Sequence, residues 1–386
     1  MADAYIVETA RTAGGRRGGA LRGWHPADLG AEVLNALVTR SGIDASVIDD
    51  VIVGCVSQGG EQAFAFGRNC VLASDLPQSI PAVTIDRQCG SSQQAVQFAA
   101  QAVMSGTQDI VIAMGVESMS RVPMGSNVSL YAKAGIGEGP FSDRIAAKYG
   151  TKNFSQFIGA EMVAKKHGFN REQLDRYALE SHRRAVSARD SGAFDDEIVP
   201  LQVEGGMHTR DEGIRDDATL DSISNVKLLD PDGMISAANA SQICDGAAGV
   251  LVVSEAALKK YNLTPKARIV NLTVTAGDPV IMLEEPLPAT DRALQRAGMK
   301  IGDIDLFEVN EAFAPIPLAW LKHTGADPEK LNVNGGAIAL GHPLGASGAR
   351  LMTTLVHSLH ARGKKYGLQT MCEGGGIANV TIIEAV

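Results

Sequence analysis

A cysteine stands where a short β-rich run gives way to a helical pattern. Cys89 follows a predicted strand at 82–85 and precedes a predicted helix at 91–105. Free N–H groups and the positive end of the helix dipole favour an anion at such a turn, so we expect a raised thiolate fraction and a nucleophile. Unpaired cysteines are more often small buried apolar residues, and this alternative stays open for Cys89 taken alone.

A histidine lies in a glycine-rich segment. His342 stands between Gly341 and Pro343, within N-V-N-G-G-A-I-A-L-G-H-P-L-G-A-S-G-A-R at 332–350. Histidine can take up a proton near neutral pH and can donate a hydrogen bond to an oxyanion. A packing loop around a hydrogen-bonded histidine is the alternative. A phosphate loop is a poorer interpretation, because the sequence has no G-x-x-x-x-G-K-[ST] and no G-x-G-x-x-G after a strand.

A second cysteine follows an apolar predicted strand and precedes three glycines. Cys372 and Gly374 belong to the segment M-C-E-G-G-G-I-A-N at 371–379. Unshielded N–H groups of consecutive glycines suit an oxyanion hole, and the thiol could exchange a proton with a substrate. Glycine runs at strand ends are also common in tight turns, so both interpretations remain open.

An asparagine follows another predicted strand. Asn310 opens the segment N-E-A-F-A-P at 310–315. Its amide could orient a water or a histidine, whereas propensity alone favours a helix N-cap.

These residues need elements that bring them together. Short β-rich runs alternate with helical patterns, which predicts an α/β fold with buried, mainly parallel strands. The predicted strands are 50–56, 82–85, 109–114, 249–253, 268–274, 305–309, 367–371 and 379–383. The predicted helices are 26–41, 91–105, 171–190, 287–297, 315–324 and 347–362. The stretch 120–241 lacks this alternation and predicts a loop-rich insertion over a binding site.

The flanks of this insertion follow one order twice: a strand, a reactive residue at a tight turn, a long helix and a strand that ends in glycine. The first copy contains Cys89 and helix 91–105, and the second contains His342 and helix 347–362. The order indicates two similar halves that bring both turns to a common centre.

Composition excludes several classes of protein. The 386 residues include 35 Lys and Arg against 44 Asp and Glu, for a formal charge of −9, which does not suggest a nucleic-acid partner. Five dispersed cysteines without C-x-x-C spacing predict neither disulfides nor a structural metal site and favour a reducing compartment. The apolar runs are too short to cross a bilayer and no basic n-region opens the sequence, so we expect a cytoplasmic location and no membrane partner.

Taken together, the four segments resemble the thiolase family over essentially the whole chain. The shared motifs are the Cys89 segment, N-E-A-F at 310–313, G-H-P-L-G-A-S-G at 341–348, C-E-G-G-G at 372–376, E-T-A-R-T at 8–12 and G-V-E-S-M-S at 115–120. The resemblance implies the thiolase fold, with two similar α/β halves in a five-layer αβαβα arrangement and an inserted loop domain. Residues 1–119 and 250–270 would form the N-terminal half, 120–249 the loop domain over the coenzyme A (CoA) site, and 271–386 the C-terminal half.

The resemblance also implies roles for the reactive residues. Cys89 would attack the 3-keto carbonyl of a 3-ketoacyl-CoA, release acetyl-CoA and carry the acyl group until free CoA takes it. His342 would activate Cys89 and, with a water held by Asn310, form one oxyanion hole. Cys372 would protonate the departing enolate and deprotonate the incoming thiol. The N–H groups of Cys89 and Gly374 would form the second oxyanion hole, and no metal is required.

The same resemblance places the CoA contacts. Arg215 matches an arginine near the CoA nucleotide, Ser222 lies close to it in sequence, and Ser241 matches a serine that contacts the pantetheine arm. CoA is expected as a substrate rather than as a permanently bound cofactor. The family also implies a homodimer or homotetramer.

Three departures from the family pattern bear on the substrate. Ser91 and Ser92 stand where Ser-Gly is commoner, Gln242 follows Ser241 where glycine is usual, and S-Q-F-I-G at 155–159 takes the place of a His-Met-Gly stretch. These changes favour a longer, branched or ring-bearing 3-ketoacyl-CoA over acetoacetyl-CoA. The string at 86–94 also looks like thiolases of actinobacterial steroid breakdown.

Thiolytic cleavage by an acetyl-CoA C-acyltransferase, with the reverse Claisen condensation possible, is therefore the leading hypothesis. The alternatives are an acetoacetyl-CoA-specific acetyltransferase, a ketoacyl-synthase-like condensing enzyme and a non-catalytic acyl-CoA-binding protein. The second cysteine, Cys372, favours a thiolase over a ketoacyl synthase.

Overall fold

The computed structural model describes residues 2–386. The strands are β1 (Ala4–Thr12), β2 (Gly15–Arg16), β3 (Asp50–Gly54), β4 (Ala82–Ile85), β5 (Ile110–Ser118), β6 (Ile198–Val199), β7 (Leu201–Val203), β8 (Gly206–His208), β9 (Cys244–Ser254), β10 (Ala267–Ala276), β11 (Leu306–Val309), β12 (Tyr366–Glu373) and β13 (Ile377–Ala385). The helices are α1 (Pro26–Ser41), α2 (Phe66–Ala73), α3 (Ser91–Ser105), α4 (Ser126–Lys133), α5 (Asp143–Tyr149), α6 (Gln156–His167), α7 (Arg171–Asp190), α8 (Leu220–Ser224), α9 (Glu255–Tyr261), α10 (Pro286–Ala297), α11 (Pro315–Thr324), α12 (Ala337–Leu340) and α13 (Ser347–Ala361).

The main sheet is mixed rather than mainly parallel. Its order is β11-β12-β13-β10-β1-β9-β5-β3-β4. Strands β3, β4 and β5 are parallel, as are β11 and β12, whereas β9 and β13 run antiparallel to both neighbours. The prediction of mainly parallel strands was wrong for both β9 and β13. For β13 the reason is the tight glycine turn that joins it to β12, since a tight turn can only reverse the chain.

The sheet repeats one topology, as the internal order of the sequence predicts. The set β3-β5-β9-β1 and the set β11-β12-β13-β10 have the same order and the same strand directions. The two sets meet where β1 pairs with β10 through Tyr5 with Arg268 and Ile6 with Ala267. The chain therefore contains two similar α/β halves joined at a narrow seam.

Apolar side chains separate the structure into five layers. One core cluster, including Leu34 and Val51, lies between the first half-sheet and the outer helices α1 and α2. A second includes Ala99 of α3 and Met352 of α13, which lie between the two half-sheets. A third, including Trp320, packs α10 and α11 against the second half-sheet. Across residues 2–386, no helix is both long and apolar enough to span a bilayer.

The central helices α3 and α13 approach each other closely where glycine replaces a larger residue. A Cβ atom at Gly348 would lie 2.1 Å from the backbone nitrogen of Gln93. Both residues are in the first turns of their helices, directly after the segments that contain Cys89 and His342. The contact therefore brings the two reactive turns together.

The stretch between β5 and β9 contains five helices and three short strands. Helix α7 begins at a capping box formed by Asn170 and Gln173. Arg11 of β1 ties this stretch to the sheet through buried ion pairs with Glu197 (3.0 Å) and Asp211 (2.8 Å). The predicted end of the loop domain, 249/250, falls within β9, and the predicted start of the C-terminal half, 270/271, falls within β10. The division into domains stays a prediction.

Candidate active site

Cys89 lies on a tightly hydrogen-bonded turn between β4 and α3. Gln88 adopts a positive φ of 48°, which is rare for a residue with a side chain. The Ser91 hydroxyl donates to the Gln88 carbonyl at 2.6 Å and accepts from the Arg87 N–H at 2.9 Å. The side chain of Cys89 is 9% exposed and packs with Met119, Leu344 and Met371. The turn thus fixes the position of one thiol at the seam between the halves.

Burial makes Cys89 a neutral thiol in the absence of substrate. It is the largest cause of a rise in the pKa of the thiol to about 12, and a negative charge on Glu373 would be the next largest. The expectation that the helix terminus alone raises the thiolate fraction was wrong, because desolvation outweighs it. A base must therefore remove the proton of Cys89.

His342 is suited to be that base. The side chain is 4% exposed, and burial, followed by the charge of Arg350, lowers its pKa to about 3. Its Nδ1 lies 2.5 Å from the Ser347 hydroxyl oxygen, which itself donates to the Pro343 carbonyl at 2.9 Å. Because the hydroxyl has one proton, the network assigns the hydrogen of the neutral imidazole to Nδ1. Nε2 is then left with a free lone pair.

Asn310 faces this unprotonated nitrogen. Its Nδ2 lies 3.4 Å from His342 Nε2, and its Oδ1 is buried without a partner. The neighbouring Glu311 accepts hydrogen bonds from Ser181 Oγ (2.6 Å), Tyr177 Oη (3.0 Å) and the Ile338 N–H (3.1 Å). This network holds the loop after β11, which places the Asn310 amide beside His342 Nε2. The helix N-cap interpretation finds no support, since α11 begins at Pro315.

Cys372 and Gly374 lie at the end of β12, beside the Cys89 turn. Cys372 is fully buried, and burial followed by the nearby Cys89 raises the pKa of its thiol well above the usual value. A Cβ atom at Gly374 would stand 2.9 Å from Gln88 Oε1, so the glycine lies against the residue before Cys89. The structure therefore brings Cys89, His342, Asn310, Cys372 and Gly374 to one place.

A carboxylate in the motif at 115–120, to which the sequence analysis assigned no role, connects the segments of the site. Glu117 accepts hydrogen bonds from the N–H groups of Val56 (2.9 Å), Ser57 (3.0 Å) and Gly345 (2.9 Å) and from the Gln62 amide (2.9 Å). Gly345 belongs to the His342 loop, and the other three donors belong to the first half. Only folding reveals this role, because the bonded residues are up to 228 positions apart.

Two of the three predicted CoA contacts line a cavity in the inserted stretch. Arg215 and Ser222 lie there with His182 and Gln242. His182 Nδ1 accepts a hydrogen bond from the Arg215 N–H at 3.3 Å, and burial followed by the Arg215 charge lowers the pKa of His182 to about 4. Ser241 does not line this cavity; its N–H donates to the carbonyl of Ala312 at 3.0 Å, which places it beside the Asn310 loop.

Comparisons with known proteins agree with this geometry. The model of the thiolase N-terminal domain matches residues 4–256, and that of the thiolase C-terminal domain matches residues 263–385. A steroid 3-ketoacyl-CoA thiolase of Mycobacterium tuberculosis is 50% identical over the whole chain and 94% of its own length. A 3-ketoacyl-CoA thiolase of an Enterobacter species is 41% identical over all of both chains.

Two solved structures share the fold. The Bacillus anthracis acetyl-CoA acetyltransferase superposes with a TM-score of 0.91 at 35% identity, and the human mitochondrial 3-ketoacyl-CoA thiolase with 0.89 at 37%. Each match covers 100% of this chain and 99% of the other. The chain belongs to the thiolase family and has the thiolase fold.

Proposed function

We propose that the protein cleaves a 3-ketoacyl-CoA with free CoA, yielding acetyl-CoA and an acyl-CoA shortened by two carbons. The proposal depends mainly on one observation. Two buried neutral thiols, Cys89 and Cys372, lie together with an unprotonated His342 Nε2 and the Asn310 amide. The names of the relatives support the same reaction.

The first half-reaction begins with a proton transfer. His342 Nε2 takes the proton of the Cys89 thiol, and the sulfur attacks the 3-keto carbon. The Cα–Cβ bond then breaks, and its electron pair passes to the enolate of acetyl-CoA. Cys372, which burial keeps protonated, gives its proton to the enolate carbon.

The second half-reaction returns the protons. The Cys372 thiolate takes the proton of the incoming CoA thiol, and the CoA sulfur attacks the Cys89 thioester. Cys89 leaves as a thiolate and recovers its proton from His342. Asn310 and the N–H groups of Cys89 and Gly374 would stabilise the oxyanions. Arg215 supplies a cation for the CoA phosphates, with Ser222 beside it and Ser241 nearer to the reacting centre.

We favour acetyl-CoA C-acyltransferase activity on bulky acyl chains over acetoacetyl-CoA-specific activity. Phe157 and Ile158 are 42% and 49% exposed, and the Phe157 ring packs edge-on against Phe313 with centroids 5.6 Å apart. Such side chains offer apolar surface to a long or ring-bearing acyl group. The name of the mycobacterial relative points in the same direction.

The test is CoA-dependent loss of the magnesium–enolate absorbance of 3-ketoacyl-CoAs of graded size. We expect kcat/KM to rise from acetoacetyl-CoA to longer or ring-bearing substrates. Turnover of acetoacetyl-CoA alone would contradict the preference, and no turnover with any acyl group would contradict the reaction.

A homodimer is the assembly that we propose. Strand β4 pairs with β3 alone among residues 2–386, so its other edge offers free backbone groups. Val83 on this strand and the nearby Phe64 are 45% and 91% exposed. Sedimentation equilibrium would separate a dimer from a monomer or tetramer. A cytoplasmic location would keep the five free cysteines reduced.

A further inference from the structure

Two buried polar side chains behind the Cys89 turn lack hydrogen-bond partners. Glu373 ends β12 and is fully buried, and neither of its carboxyl oxygens has a partner within normal hydrogen-bond geometry, the backbone N–H of Asn379 being the donor that influences it. Asn379 of β13 is equally buried, and neither its amide oxygen nor its amide nitrogen has one. Buried polar atoms are rarely left unpaired, because the lost hydration is costly. The two side chains therefore need an explanation.

Both side chains converge beneath Gly90, the residue after Cys89. A Cβ atom at Gly90 would stand 2.0 Å from Glu373 Oε1 and 2.7 Å from Asn379 Oδ1. With the amide oriented in this way, two acceptor oxygens face the same point. An ionised carboxylate can only accept hydrogen bonds, whereas a protonated one has an O–H to donate. In this orientation, a proton on Glu373 would supply the donor that the Asn379 amide oxygen lacks.

The charged surroundings do not compel ionisation of Glu373. Arg87 and the backbone N–H of Asn379 favour the charged form, whereas Asp86 opposes it. The thiols of Cys89 and Cys372 complete the titratable surroundings. Burial, the largest effect, raises the pKa of Glu373 well above the usual value.

We propose that Glu373 is a positioning residue that acts as a neutral carboxylic acid. Its O–H donates to the Asn379 amide oxygen and supports the Cys89 turn without a negative charge beside the thiolate that Cys89 must form. An ionised Glu373 would raise the pKa of Cys89 and make it a poorer nucleophile. The inference rests on the proposed role of Cys89 as the nucleophile. Glu373 and Asn379 themselves belong to neither of the proposed oxyanion holes.

The test measures the rate at which iodoacetamide alkylates Cys89 across pH, with the modified peptide quantified by mass spectrometry. Glu373→Gln keeps a neutral side chain, so the apparent pKa of Cys89 should stay within about 0.3 of the wild-type value. Asn379→Asp places two carboxyls together, and the charge that they then share should raise that pKa by about one unit or more. The exchanged pair Glu373→Gln with Asn379→Asp restores one acid and one amide and should return the pKa to the wild-type value.

Two results would overturn the proposal. A Cys89 pKa that falls by a unit or more in Glu373→Gln would mean that the native carboxyl is ionised. An unchanged pKa in Asn379→Asp would mean that charge at this place does not reach Cys89. If Glu373→Gln fails to fold, the infrared bands of protonated carboxyls are compared between the wild-type protein and Glu373→Asp, because the buried Glu308 would give a band of its own. A band that shifts in the variant supports the proposal, and unchanged bands overturn it. Alkylation of Cys89 does not require thiolysis. A failure of the proposed thiolase reaction would therefore be distinguished from a failure of the proposal for Glu373.

Discussion

At Cys89 and His342, burial leaves both partners uncharged. The same loss of hydration raises the pKa of the thiol to about 12 and lowers that of the imidazole to about 3. Transfer of the proton creates a thiolate and an imidazolium that attract each other strongly away from water. The cost of the transfer is therefore partly offset when substrate completes the site.

The two cysteines should respond differently to mutation. Cys89→Ala removes the acyl acceptor, and we expect no mass increase after incubation with acyl-CoA. Cys372→Ala keeps the acceptor, and we expect one acyl group on the intact protein with turnover lowered by at least ~100-fold, since general acid–base groups contribute about 10²–10⁴. Intact-mass spectrometry checks both variants. An acyl adduct on Cys89→Ala would contradict the proposed nucleophile.

Ser347→Ala should weaken the base without affecting CoA binding. The hydroxyl accepts from His342 Nδ1, and a hydrogen bond to a charged group contributes about 1.5–3 kcal/mol, so kcat should fall roughly 10- to 100-fold. KM for CoA should stay within about threefold. The control is Thr353→Ala, which removes a buried hydroxyl bonded to the Ala349 carbonyl on the same helix. Equal losses of kcat in both variants would argue against a specific role for Ser347.

Local patterns were sufficient to find the residues that could react, but not those that hold them. Cys89, His342, Cys372 and Asn310 each lie in a short segment with an unusual chemical environment. Glu117 lies in the shared motif at 115–120, but its role arises from donors that are distant in sequence. The proximity of Glu117 and these donors depends on the packing of both halves, so it cannot be predicted from the spacing of residues in the sequence.

Among the elements, long periodic helices were predicted well and the central strand was missed. Helices α1, α3, α7 and α11 have the predicted limits. Strand β1 was not predicted because it contains charged and hydroxyl residues in place of an apolar run. Its Arg11 is buried only because Glu197 and Asp211, from the inserted stretch, neutralise it.

The close contact of α3 and α13 gives a test at this scale. Gly348→Ala would force a methyl group onto the backbone of Gln93, and overpacking of this kind costs about 1–3 kcal/mol. We expect a lower free energy of unfolding and a loss of kcat, because the reactive turns precede both helices. Urea denaturation and steady-state kinetics measure the two effects.

The matched control is Gly302→Ala. A Cβ atom there meets no atom within 4 Å, so stability and kcat should change little. A similar loss in both variants would show that the helix contact has no special importance.

Across the whole molecule, buried neutral histidines make stability depend on pH. Burial lowers the pKa of His182 to about 4, whereas an exposed histidine titrates near ~6.5. Between these values the unfolded chain binds a proton that the folded chain does not. The contribution of His182 to stability is therefore complete above this window and is lost as the pH falls through it.

His182→Asn isolates this contribution. From pH 7 to pH 5, the wild-type protein should lose about 2 kcal/mol more free energy of unfolding than the variant does. Other titrating groups cancel in this comparison. Urea denaturation at both values measures the difference, and an equal loss in the two proteins would mean that His182 is protonated in the folded state.

The repeated halves have a consequence for ancestry. A chain that arose by doubling one βα unit would begin with two equivalent turns, each facing the other across the central helices. In a chain of that origin, the two turns would have specialised into partners, one with a thiol and the other with an imidazole. Such a duplication would convert two potential reaction centres into one, which neither half can supply alone.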